Sequence, residues 1–151
     1  MKEIITEAQF RRNIKTPDAA YIFFGDEDYL KGNALSVAKS ELVGAEAEMF
    51  DYIRIEQADF TPESISAALA APPMFGEYKL VVASLAFTDL RAAEINALCE
   101  ILGSLEGESG NVFIISIPSG GINVGTPKKI SSELKKLCEY AQGVRFDRVP
   151  A

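Results

Sequence analysis

Apolar residues along the chain fall into short continuous runs that alternate with stretches at helical spacing. Tyr21-Ile22-Phe23-Phe24, set between a turn at Asp18 and Gly25, predicts a central strand buried on both faces. Tyr78 to Ala83 and Val112 to Ile117 predict two more such strands. Phe50 to Ile55, broken by Asp51 and Arg54, suits a strand nearer a sheet edge, and Val144-Arg145-Phe146 a short fifth.

Helices fill the intervals. Thr6 to Gln9 reads as a capping box with Ile5 and Phe10 as its hydrophobic staple, predicting a helix to about Ile14. Leu30, Ala34, Leu35, Ala38 and Leu42 mark a second helix, with Gly44 offering a left-handed stop. Thr61-Pro62 starts a third, in which Phe60 staples to Ile65 and which Pro72-Pro73 must end. Leu90, Ala93, Ala97, Leu98, Ile101, Leu102 and Leu105 line one face of a fourth, with Gly107 and Gly110 at its exit. Thr126-Pro127 reads as the cap of a fifth, with Ile130, Leu134 and Leu137 on one face.

The order is one helix, then repeated strand and helix, with no internal repeat. Parallel neighbours need crossovers, so this order predicts an α/β domain of three layers around a mostly parallel five-stranded sheet. A length of 151 residues is that of one compact domain.

Composition narrows the chemistry. With 48% hydrophobic and 25% charged residues the chain is an ordinary folded one, without a disordered tail or low-complexity segment. No apolar run reaches the roughly 18 to 20 residues that cross a bilayer, and the start lacks a signal-peptide core, so the cytoplasm is expected and no membrane. The absence of histidine excludes a Ser-His-Asp triad, a Cys-His pair and His-ligated metal within this sequence. Cys99 and Cys138 lie in helical patterns without metal-site spacing and read as buried thiols; no metal or cofactor is expected.

Net charge is −7, distributed unevenly: residues 125–151 hold six basic and three acidic side chains. Lys128, Lys129, Lys135 and Lys136 read as a solvated helix face, and no DNA site is assigned. Gly120-Gly121-Ile122-Asn123-Val124-Gly125 lacks the dinucleotide fingerprint and reads as a flexible connection.

The segment Gly25-Asp26-Glu27-Asp28-Tyr29-Leu30-Lys31-Gly32 stands where a nucleotide-binding loop would carry Gly-x-x-x-x-Gly-Lys-Ser/Thr. Gly25 and Lys31 fit that spacing. Leu30 replaces the second glycine, Gly32 replaces the magnesium-binding hydroxyl, and three carboxylates stand where backbone amides should meet phosphate. Those acids suit the first turn of a helix instead, where negative charge meets the positive end of the dipole. The strand Leu80-Val81-Val82-Ala83 runs into Ser84-Leu85, without the closing carboxylate that would hold magnesium. The nucleotide site is therefore degenerate. Receiver domains share an acidic cluster at this place, but neither Ile55-Glu56 nor Ile117-Pro118 completes their metal site.

The second unusual segment is Ala71-Pro72-Pro73-Met74-Phe75-Gly76-Glu77-Tyr78. Composition alone favours Met74 and Phe75 packing under the sheet. Exposed, the pair would anchor in a protein partner's pocket, each side chain contributing about 1.5 to 3 kcal/mol when buried.

Residues 21 to 30, Asp59-Phe60 and Pro-Pro-Met-Phe-Gly-Glu-Tyr-Lys-Leu-Val-Val at 72 to 82 together resemble the delta subunits of bacterial DNA polymerase III clamp loaders, over essentially the whole chain. The resemblance implies a RecA-like AAA+ fold that has lost ATPase function. It implies a non-catalytic clamp-loader subunit that binds and opens the beta sliding clamp during DNA replication. Met74 and Phe75, with Pro73, match the family's clamp-contacting pair. Partners implied are the clamp, the gamma/tau motor subunits and delta-prime, with DNA met only through the assembled complex in a bacterial cytoplasm. Residues 1–151 would be the N-terminal AAA+-like domain, the family's helical lid and collar lying downstream and absent here, as in a truncated chain. Two other readings stay open: a nucleotide hydrolase with an unorthodox phosphate loop, and a structural AAA+-like module with Met74 and Phe75 buried.

Overall fold

The computed structural model describes residues 3–105, 109–126 and 128–147. Its spine is a six-stranded sheet formed by β1 (Ile5–Thr6), β2 (Ala20–Phe24), β3 (Tyr52–Ile55), β4 (Lys79–Ser84), β5 (Asn111–Ser116) and β6 (Gln142–Arg145). The spatial order is β1-β6-β2-β5-β4-β3, and every neighbouring pair is parallel. The sheet thus has one strand more than the pattern predicts. The addition, β1, is two residues long, too short to show a period, and pairs Ile5 with Val144 and Thr6 with Arg145.

Alternate side chains along the strands enter two cores. Ile22, Phe24, Val81, Ala83, Phe113 and Ile115 meet Ile65 of α4 (Pro62–Ala70), Leu98 and Leu102 of α5 (Ala92–Ser104), and Leu134 and Leu137 of α6 (Ser132–Cys138). Tyr21, Phe23, Leu80, Val82, Ile114 and Val144 face Phe10 of α1 (Glu7–Asn13) and Ala34, Leu35 and Ala38 of α2 (Asp28–Leu42). Residues 20–24 are buried throughout, which is why they read as an unbroken apolar run. Phe10 stands edge-on to both Tyr21 and Phe23, at 4.9 and 5.0 Å between ring centres.

Caps fix several helix starts. The Thr6–Gln9 box opens α1, and Thr61 with Ser64 opens α4, which stops at Ala70 ahead of the two prolines. The start of α6 differs from expectation. Thr126 instead closes a local turn with Lys129, and Ser131 accepts the Leu134 N–H at 3.1 Å as the working cap. Gly125 and Ile130 form a small antiparallel bridge, and α6 begins only after it, at Ser132. Pro127 and Gly107 lie outside the described residues.

Gly44 does not provide a left-handed stop; α2 ends at an extended Val43 whose N–H bonds the Lys39 carbonyl at 2.9 Å. Phe50 belongs to a one-turn helix, α3 (Glu48–Asp51), rather than to the strand that starts at Tyr52. Cys99 and Cys138 are free and buried, and burial pushes the Cys138 thiol up to about 11. Among the described residues no helix is long and apolar enough to cross a membrane.

Candidate functional site

Two places carry chemistry that the fold does not require. The first is the loop from β2 into α2, at the carboxyl end of the sheet, where open parallel sheets bind ligands. Gly25 has φ of +115°, and a Cβ there would lie 2.3 Å from the Phe146 carbonyl oxygen. That carbonyl accepts the Glu27 N–H at 3.0 Å, so the chain after β6 runs tight against this loop and only glycine fits.

Lys31 is 2% exposed. Its ammonium donates to the Gly25 carbonyl at 2.6 Å, the Ile117 carbonyl at 2.7 Å and the Asp28 carboxylate at 2.9 Å. An ammonium has three donors, and all three are engaged by the protein itself. Asp28 Oδ1 also accepts the Ser119 N–H at 2.9 Å. Burial pushes the Asp28 carboxyl up, but the hydrogen bonds from Lys31 and Ser119 outweigh it and hold the group below the usual carboxylate range. Only Asp28 lies within the first helical turn; Glu27 occupies the cap position and Asp26 precedes it. Gly32 adds no side chain here. The adjacent cleft, about 400 Å³, is lined by Asp28, Lys31, Arg54, Glu56 and Ser84, with Arg54 donating to Glu56 at 2.6 Å. Its two cations, Lys31 and Arg54, are paired with Asp28 and Glu56.

The second place is the loop between α4 and β4. Met74 and Phe75 are each 65% exposed, so they do not pack under the sheet. The element beneath them is α3. Its last residue, Asp51, is fully buried and accepts the N–H groups of Met74 at 2.6 Å, Phe75 at 2.9 Å and Gly76 at 3.0 Å. Burial alone raises a carboxyl's pKa, yet these three donors and the charge of Lys79 hold Asp51 below its ordinary value. Lys79 is buried too, donating to the carbonyls of Ala68 and Ala71, and burial lowers its pKa. Asn111 bonds the Leu69 and Ala71 carbonyls at 2.9 and 3.2 Å, fixing the end of α4.

Residue patterning missed Met49 and Phe50. Phe50 looks like the start of a strand in sequence, but α3 turns Met49 and Phe50 outward, 83% and 44% exposed, and the Phe50 ring centre lies 5.0 Å from that of Phe75. Two adjacent large apolar residues just ahead of a carboxylate are the signal that was there to find. Pro73 lies next to Gly110, where an added Cβ would meet its ring at 3.0 Å.

The fold is shared with two solved proteins. The Bacillus subtilis DNA clamp loader delta protein matches 95% of this chain with a TM-score of 0.76 at 17% identity. A DNA polymerase III gamma subunit-related protein from Thermotoga maritima matches 95% with a TM-score of 0.63 at 14% identity. The chain spans 43% and 46% of those proteins respectively, less than half of each. No protein-family model matches the sequence, and no curated protein matches it.

Proposed function

We propose that residues 1–151 are the clamp-contacting AAA+-like domain of a delta-type subunit of a bacterial DNA polymerase III clamp loader, a non-catalytic part that binds the beta sliding clamp and favours its open form. The observation that carries this reading is the outward-facing Met74–Phe75 pair, presented by a loop whose backbone is hydrogen-bonded to a buried carboxylate. Two adjacent side chains of this size, solvated in the free protein, are suited to an apolar pocket on a partner. The shared fold with a clamp loader delta protein supports the choice of partner.

The role of wrench follows from differential binding: a contact that fits the opened clamp interface better than the closed one shifts the ring toward opening by that difference. Gamma/tau motor subunits and delta-prime would supply ATP-driven timing, with DNA contacted through the assembly in the cytoplasm. The nucleotide-hydrolase reading is opposed by Lys31, whose three donors are already committed within the protein.

Isothermal calorimetry of this chain with the sliding clamp of the same organism tests the proposal. Wild type is expected to bind, and Met74→Ala/Phe75→Ala, shown to be folded by circular dichroism, to bind roughly 100-fold or more weakly. Undiminished binding by the double variant would move the site elsewhere on the surface.

A further inference from the structure

We propose that Asp51 is the positioning residue of the Met74–Phe75 anchor, holding the loop backbone in the shape in which the two side chains enter a partner's pocket. The inference rests on the reading of that pair as the clamp-contacting element. It starts from the backbone of residues 71–78, which belongs to no helix and, before Lys79, to no strand. Its N–H groups therefore need acceptors from elsewhere.

A single carboxylate supplies three of them. Met74 donates to Asp51 Oδ1, and Phe75 and Gly76 to Oδ2, so three successive N–H groups converge on one anion. A carboxylate withdrawn from water is tolerated only where its lone pairs are filled by donors, and the donors here are the amides of the anchor itself. Carboxylate and loop thus fix each other. Lys79 holds the upstream end of the same segment through the Ala68 and Ala71 carbonyls, which leaves the intervening prolines little freedom.

The same residue closes α3, and α3 brings Phe50 against Phe75 with rings tilted by 52°. Asp51 sets the backbone while Phe50 props the ring. An anchor ordered before contact loses less conformational freedom on binding, and this is the physical route by which Asp51 would raise affinity without touching the partner.

Amide hydrogen exchange by NMR on the whole chain, paired with clamp titration, tests this. In Asp51→Asn the amides of 74–76 are expected to exchange about tenfold faster or more, while those of β2 and β5 are unchanged, because a hydrogen bond to a charged group is being weakened. Clamp affinity is expected to fall roughly tenfold, and the loss to shrink in a Phe75→Ala background, as a residue acting through the anchor requires. Unchanged exchange at 74–76, or full additivity with Phe75→Ala, would overturn the proposal. Should Asp51→Asn fail to fold, wild type still decides the matter. The three amide resonances should shift together on acidification, with one midpoint below the usual aspartate range; the other charged groups nearby are Glu48 of α3, which pairs with Lys39, Glu77 of the loop, and Lys79. Separate midpoints would count against it. Absence of clamp binding by wild type would refute the partner reading, while the exchange data would still show whether Asp51 holds the loop.

Discussion

Single residues decide the character of both candidate sites. Lys31 is an internal tie between the end of β2, the start of α2 and the chain after β5. Lys31→Met would leave two buried carbonyls without donors and is expected to cost about 2 to 4 kcal/mol in urea denaturation. Gly25→Ala faces both a positive φ and a backbone oxygen at 2.3 Å. It should destabilise by about 2 kcal/mol or more in the same measurement. Asp51 gives a pH signature with a definite sign. Its carboxyl is held below the ordinary value of 3.8, so its contribution is complete above that value and disappears as pH falls through the lowered one. Acid unfolding of Asp51→Asn should lack this component, as midpoints of denaturation measured down the pH scale would show.

Among the elements, what could be read from sequence and what could not separate cleanly. The strands β2, β4 and β5 were legible because burial on both faces demands an unbroken apolar run, and α4 because threonine, proline and a following apolar stripe all point to one start. Thr61→Ala should lower stability by about 1 kcal/mol through loss of that cap. Thermal melting should register it as a fall of about 2 to 4 °C. Short elements escaped. A two-residue strand has no period, and α3 is a single turn whose conformation is set by tertiary contacts rather than by propensity. The same limit hid half of the exposed patch: Met74 and Phe75 stood out beside their prolines, whereas Phe50 joined them only through the fold. The carboxylate that organises the loop lies 23 residues from Met74 in sequence, and no local pattern links them.

For the whole molecule, the proposed activity is one of surface rather than of catalysis. Contact through Met74 and Phe75 would remove apolar area from water, so binding should show a negative heat-capacity change and little dependence on salt, measurable by calorimetry at several temperatures and ionic strengths. Titration with ATP and magnesium should give no saturable heat in the micromolar range, whereas clear saturation would favour the hydrolase reading. The fold supports a stiff presentation of the patch, since α3 and the loop are both anchored next to β3 and β4 at one margin of the sheet.

The place of β6 in the sheet has a consequence for how the molecule is made. This strand lies between β1 and β2, although its residues come more than a hundred positions after either. A ribosome releasing the chain from its amino end delivers both flanks of that slot first, and then takes on the order of ten seconds to supply the piece that fills it. Until β5 emerges β2 lacks both of its neighbours, and until β6 follows it still has one vacant side, which is the kind of edge that invites pairing with a neighbouring chain. Nascent chains halted before Gln142 should therefore be more aggregation-prone than chains that have released Arg145, in which β6 fills that side of β2.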